Sequence, residues 1–401
     1  MKRIHPNQAE AIANSLWAIC KNKRRASRVL ERCVEAHPKW GARDRNLLYT
    51  ATYDILRWKR LYQFYADLDD ADFLPWGGLK CWLILNEYSI PEWKELEQLS
   101  LTSKMDMLAK ELPSPSIKYA FPDWLYALGQ KELGSAWEKE VAGLNTQARV
   151  SLRVNRLLAS PKRIKEELEK KYNIISEYKA KYPDALLLNK GKKLSTNRLF
   201  KQGYFEVQDA HSQEIAHFCQ VAPNMDVIDL CAGAGGKTLH LAALMRNKGR
   251  LRAYDIESPK LNELKRRAKR AKVKIIQTEC ILPNSDLEHC RQWADCVLVD
   301  APCSGLGTLK RNPEIKWNLN ETQLNALIET QRSLLKQAAD YIKPGGTIVY
   351  ATCSILPSEN QNQVDQFLRQ NNTFTLDESI NISSQNTPFD GFFMARLKKK
   401  N

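Results

Sequence analysis

The stretch Val227-Ile-Asp-Leu-Cys-Ala-Gly-Ala-Gly-Gly-Lys-Thr238 limits the fold of this chain more than any other. A β-branched run enters a glycine cluster and leaves it as a helix former, the opening unit of a sheet with crossover helices. Two later apolar runs end in cysteine-bearing turns, Val299-Asp-Ala-Pro-Cys-Ser-Gly305 and Tyr350-Ala-Thr-Cys-Ser354. An open α/β sheet gathers ligands and reacting groups beyond the carboxyl ends of its strands. A nucleotide-type turn followed by two strand-end cysteines points to covalent catalysis on a group delivered beside a cofactor.

The 401 residues allow two or three domains, and 27% charged against 43% hydrophobic residues is ordinary for a globular protein. No apolar run reaches the roughly 18–20 residues of a membrane span. Met1-Lys-Arg-Ile-His-Pro6 lacks the apolar core of a signal peptide, so a cytoplasmic protein without a membrane partner is expected. The net charge of +15 is uneven: residues 1–150 hold 22 Lys+Arg against 19 Asp+Glu, and residues 151–401 hold 39 against 27. That excess attracts a polyanion, phosphate backbones being the commonest, although charge alone does not separate RNA from DNA. None of the ten cysteines forms a Cys-x-x-Cys pair, so neither a zinc site nor a disulfide framework is expected.

Apolar spacing predicts helices over Pro6–Cys20 and Ala26–Ala36, one over Arg45–Trp58 capped by Asp44, and more over Gly78–Tyr88 and Pro122–Leu144. From about 148 the pattern changes to a small α+β module. It has a strand over 149–155, a helix over 160–172, and short strands at 185–188 and 204–207. Beyond 210, strands are expected near 226–230, 250–254, 273–277, 295–299 and 346–351, with a late pair near 373–376 and 390–396. The organisation is thus a helical domain over 1–140, a module over 148–209 and an α/β domain over 210–401.

Gly233, Gly235 and Gly236 permit close approach of a ligand to the turn. Asp255, at the end of the next strand, is placed to accept hydrogen bonds from ribose hydroxyls. Three readings compete for the turn. A P-loop would need a glycine where Cys231 stands, and a dinucleotide turn would need Gly-x-Gly-x-x-Gly. An S-adenosylmethionine site is favoured, because both later motifs suit methyl transfer.

Here a family resemblance becomes specific. Asp229–Thr238 resembles the first motif of the RsmB/Nop/Sun RNA 5-methylcytosine methyltransferases, with Gly233 and Ala234 where that family usually has Ala-Pro. Asp300-Ala-Pro-Cys-Ser-Gly305, Arg311-Asn-Pro-Glu-Ile-Lys-Trp317, Ala351–Asn360 and Asp390–Ala395 resemble its later motifs. The resemblance spans about 148–397. Gly41–Arg45 and Tyr53–Arg57 look like the NusB-like helical domain of the bacterial RsmB branch. The resemblance implies a class I, Rossmann-like methyltransferase sheet behind a small α+β (RRM-like) module and a NusB-like helical domain. It implies an S-adenosyl-L-methionine site lined by Cys231, Ala232, Gly233, Ala234, Gly235, Gly236, Lys237, Asp255, Glu279 (usually Asp in the family) and Asp300. It further implies that Cys353 is the nucleophile and that Cys303 assists release.

The chemistry explains a need for two thiols. Carbon 5 of cytosine is a poor nucleophile until a thiolate adds to carbon 6; a base must then remove the carbon 5 proton before elimination. Asp300 is a candidate for holding the cytosine edge, and Lys237 for neutralising nearby carboxylates. Arg311, Lys316 and Trp317 mix basic and aromatic groups in a way that suits an RNA strand, although Trp317 could equally anchor a surface loop. The favoured reading is a monomeric, metal-free RNA cytosine-5 methyltransferase acting on ribosomal RNA. The alternatives are a transfer RNA methyltransferase and a catalytically idle RNA-binding assembly factor.

Overall fold

The computed structural model describes residues 2–68, 75–97, 103–189, 194–282 and 285–401. The chain forms two compact units, one of Met1–Asn145 with Arg311–Leu319, the other of Thr146–Lys310 with Asn320–Asn401.

The first unit is helical. Helices Pro6–Cys20 and Ala26–Ala36 form where apolar spacing places them, and they bury Ile12, Leu16, Ile19 and Leu30 with Leu48, Ile55, Leu79 and Leu83 of later helices. The third helix begins earlier than expected, at Ala42, and Gly41 rather than Asp44 caps it. Asp44 lies at the third helical position, and its carboxylate accepts the Gly41 N–H at 2.9 Å, reaching back over the first turn. The helix expected over Gly78–Tyr88 runs over Pro75–Leu85. The one expected over Pro122–Leu144 is broken into Asp123–Leu133 and Trp137–Leu144 by Gly134, whose φ of 54° no regular helix accommodates.

The second unit holds two sheets. Strands β1 (Ser151–Val154), β2 (Ser176–Glu177), β3 (Ala185–Leu188) and β4 (Phe205–Val207) pair in the order β2-β3-β1-β4, all antiparallel. Helix Pro161–Tyr172 packs Ile164 and Leu168 on Leu152, Val154, Leu186 and Phe205.

The larger sheet contains β5 (Asp226–Asp229), β6 (Arg250–Asp255), β7 (Ile276–Cys280), β8 (Ala294–Asp300), β9 (Ile342–Thr352), β10 (Phe374–Ile382) and β11 (Phe392–Lys399). Their order is β10-β11-β9-β8-β5-β6-β7, parallel from β9 to β7 and antiparallel at β11 and β10. This is the expected Rossmann-like α/β sheet. Several strands depart from the expected bounds: β9 starts four residues early at Ile342, β10 runs on to Ile382, β11 runs on to Lys399, and β7 begins at Ile276, three residues after the expected start. Val273 and Ile275 instead pack beneath the sheet edge on the way in.

The topology fixes where the site lies. From β5 the chain builds outward through β6 and β7, then returns to place β8 on the other side of β5. The direction of winding reverses there, so the turn after β5 and the turn after β8 open beside each other at the sheet's carboxyl edge, the usual ligand crevice.

Candidate active site

Two glycines of the turn after β5 have distinct tasks. Gly235 has φ 83°, and a Cβ there would meet Leu264 Cγ at 2.6 Å, so it permits close packing of the turn on helix Ser258–Arg270. Gly233 has φ 53°, and a Cβ there would meet nothing within 4 Å. Its partly exposed backbone borders open space. Asp255, buried at the end of β6, fixes this turn by accepting the Gly233 N–H at 2.8 Å, while its other oxygen accepts from Glu257 N.

Lys237, on the first turn of helix Gly236–Leu244, donates to Asp300 Oδ2 at 2.6 Å. Burial works against its charge, but the Asp300 carboxylate outweighs burial and holds the ammonium above its ordinary value, with smaller contributions from Cys353 and Asp229. Asp229 ends β5 in full burial and accepts from Thr238 Oγ1 at 2.7 Å. Burial pushes its carboxyl up to about 7; Asp300 adds to the rise and Thr238 opposes it.

The two cysteines leave neighbouring parallel strands, β8 and β9, and their Sγ atoms lie 3.3 Å apart. Close stitching holds their turns together. Gly307 N donates to Cys353 O at 2.9 Å and Gly391 N to Gly307 O at 2.8 Å, and a Cβ at Gly307 would stand 2.2 Å from Gly391 O. The Cys303 thiol lies well above its ordinary value, first because it shares a hydrogen bond with Cys353, then because it is buried.

Sequence reasoning missed the group that joins these turns. Glu359 is fully buried. Its Oε1 accepts from Ser304 N at 2.8 Å and Gln331 Nε2 at 3.1 Å, and its Oε2 accepts from Ser304 Oγ at 2.5 Å and from Ser354 Oγ. One carboxylate thus ties the residue after Cys303 to the residue after Cys353. The only sequence signal was an acid within Ala351–Asn360, a stretch otherwise rich in small and apolar residues.

The sequence profile of the 16S rRNA methyltransferase RsmB/F family matches residues 217–398, and that of an RsmF/B-like ferredoxin-like domain matches 121–195. A probable ribosomal RNA small subunit methyltransferase B from Synechocystis sp. is 33% identical over 317 residues, covering 73% of this chain and 70% of its own length. The Proteus mirabilis ribosomal RNA small subunit methyltransferase B is 31% identical over 302 residues, covering 74% and 70%. The chain belongs to the RsmB/F methyltransferase family.

Among solved structures, that of PH0851 superposes with a TM-score of 0.84 at 26% identity, covering all of both chains. That of NSun6 from Pyrococcus horikoshii with SFG gives 0.65 at 20% identity, covering 71% of this chain and 99% of its own, and speaks to the fold alone.

As a member of this family the chain is expected to use S-adenosylmethionine, and the residues fit it. The open space over Gly233, the adjacent Asp255 and the run Cys231–Lys237 leave room and polar groups at the crevice. Cys231 and Ala234 are partly exposed there, and Ala232 and Gly235 are buried beneath. Glu279 stands apart. It is in register with Tyr254, whereas Cys280 pairs with Asp255, so Glu279 projects from the face opposite Asp255. Its side chain is 55% exposed, and its carboxylate lies 3.9 Å from His289 Nε2.

The three residues expected to meet RNA all lie in the helical unit. Lys316 is 1% exposed; its Nζ donates to Arg57 O at 2.8 Å and Asn145 Oδ1 at 3.3 Å and lies 4.3 Å from the Phe121 ring centre. Trp317 donates from Nε1 to Leu56 O at 2.6 Å. Between them and Pro313, buried Glu314 accepts the Ala26 N–H at 3.0 Å. This departs from the expectation: the segment is an anchor, and neither Lys316 nor Trp317 presents its polar group to solvent. Arg311 is partly exposed.

The fold also assembles a cluster that spacing did not reveal. His217 and His240 both donate from Nε2 to Asp184 Oδ2, at 2.9 and 2.8 Å, with Arg156 on the other oxygen at 3.3 Å. The three groups have metal-binding proximity. Two N–H donors and a guanidinium already use the carboxylate, and burial pulls His240 down to about 4, which keeps it neutral. The arrangement works as a hydrogen-bonded clip between the small sheet and the large one.

Proposed function

We propose that this chain transfers a methyl group from S-adenosylmethionine to carbon 5 of a cytidine in small-subunit ribosomal RNA, through a Cys353–cytosine adduct. The observation that carries the reading is the pair of thiols 3.3 Å apart at the switch-point crevice, beside the Lys237–Asp300 ion pair. S-adenosylmethionine supplies an electrophilic methyl group when bound. The Cys353 thiolate adds to carbon 6, which makes carbon 5 nucleophilic enough to take that methyl group. Asp300, held by Lys237 through one oxygen, keeps the other for the cytosine edge. Cys303 then assists loss of the carbon 5 proton, and elimination restores the Cys353 thiolate. The target base must leave its stack to reach the thiol. Within this reading residues 1–140 are a helper domain for substrate choice and 148–209 an RRM-like module, and the names of the curated relatives favour ribosomal over transfer RNA.

The test separates the cysteines. With labelled cofactor and rRNA, Cys353→Ala should give neither methylation nor adduct. Cys303→Ala should accumulate a denaturant-resistant protein–RNA complex that the double variant loses, and bisulfite sequencing should name the cytidine. A trapped complex in Cys353→Ala alone would exchange the roles, and no methylation of any RNA by the unmodified protein would refute the enzyme reading.

A further inference from the structure

Away from the thiols, the second unit carries a groove of about 600 Å³ lined by Lys201, Tyr204, Arg266, Lys269, Arg270 and Lys272. Its walls come from different parts of the chain. Lys201 and Tyr204 belong to the short helix Arg198–Lys201 and the approach to β4, and the other cations to helix Ser258–Arg270 and its exit.

The walls are locked together. Asn155 Nδ2 donates across the seam to Gly203 O at 3.0 Å and to Ala271 O at 2.8 Å. Gly203, with φ 80°, lies so close that a Cβ would stand 2.1 Å from Arg270 O. The groove is therefore preformed, and a ligand would not have to order it.

Its charge exceeds what a solvated helix face needs. Residues 258–274 carry eight Lys and Arg against one acid, Glu263. Buried Glu206 occupies Arg267 and Arg270, and Glu263 pairs with Arg266. Exposed Lys201, Lys269 and Lys272 have no carboxylate partner among the described residues. They face the groove from both walls, with the Tyr204 ring, backed by Arg163 at 5.7 Å from its centre, between them.

We propose that this groove is a docking site for the phosphodiester backbone of the RNA substrate, remote from the reacting base. Unpaired lysines on two facing walls suit a chain of phosphates threading between them, and an aromatic ring offers a stacking surface for an unpaired base. The inference rests on the RNA reading above and extends it to a second contact region.

The test uses the full chain with Lys201→Gln, Lys269→Gln and Lys272→Gln combined, all at exposed positions. The control is Lys165→Gln with Lys171→Gln, lysines already paired with Glu169 and Glu167. Binding of a small-subunit rRNA transcript is measured against salt. The triple variant should bind tenfold or more weakly, and its salt slope should flatten by about 2, since each lost phosphate contact removes roughly 0.7–0.9. S-adenosylmethionine affinity and kcat at saturating RNA should be unchanged while KM for RNA rises. An equal loss in the control would reduce the effect to net charge and overturn the site. Unchanged transcript binding with weaker binding to small-subunit particles would reassign the groove to an acidic protein. Equal binding by the triple variant and the unmodified chain would refute the groove alone; no RNA binding by the unmodified chain would sink both this inference and the RNA substrate.

Discussion

Lys237 and Lys316 are both lysines enclosed within motif segments, the first largely and the second fully, and the structure gives them opposite tasks. Lys237 faces a carboxylate, Asp300, and is held in its charged form. Lys316 faces a carbonyl, a carboxamide and an aromatic ring. Burial, with the nearby Arg57 charge, drives it well below the ordinary lysine value. A neutral amine has two N–H groups, and Lys316 has two acceptors to meet them. A lysine's place in a motif does not tell its role; the charge of its neighbours does.

The sharpest way to break this contrast is Lys237→Met. It keeps the chain's bulk but leaves Asp300 without its cation, beside Asp229. We expect methyl transfer to rRNA to slow by about 100-fold, about 2.7 kcal/mol of lost transition-state stabilisation. Single-turnover rates at saturating cofactor measure it. A rate within twofold of the unmodified protein would make Lys237 as purely structural as Lys316.

What the sequence made legible follows from the range of the interactions. The first two helices and the strand Ala185–Leu188 depend on local periodicity and appear where expected. So does the crevice, because a strand, a glycine turn and two strand-end cysteines are each local signals. Glu359 was invisible because three of its four donors lie at positions 304 and 331, joined to it only by the fold, and nothing local marks its bond to nearby Ser354. The Arg311–Trp317 segment misled for the same reason: basic and aromatic residues read alike whether they face RNA or the underside of a helical unit. Asp184, His217 and His240 are too widely spaced in sequence to register as a group.

Glu359 sharpens the contrast from the carboxylate side, since it holds neutral donors where Asp300 holds a cation. Glu359→Ala strands four buried donors and should lower stability by about 1–3 kcal/mol in urea unfolding. Glu359→Gln should recover most of that loss, because an amide oxygen can face Ser304 N and Gln331 while its NH₂ meets the two serine hydroxyls. If Gln were as damaging as Ala, the charge of Glu359 would matter, and its role would lie with Asp300 rather than with turn architecture.

The smallest effect probes Lys316 itself. Between its depressed value and the ordinary 10.5, the unfolded chain carries a proton on this lysine that the folded chain does not. More protons on the unfolded state means that stability rises with pH across that window and levels off above 10.5, by at most about 1.4 kcal/mol per pH unit. Lys316→Met fills the same space without a titrating group and should remove this rise, while stability near pH 9 shifts by about 1 kcal/mol or less. Denaturant midpoints of both proteins from pH 6 to 10 measure the difference between their slopes. RNA affinity should be the same in both, since an amine enclosed by Arg57, Phe121 and Asn145 has no route to a phosphate. Parallel pH slopes would show that Lys316 keeps its proton in the folded state, and weaker RNA binding would return it to the RNA-contacting role first read from its motif.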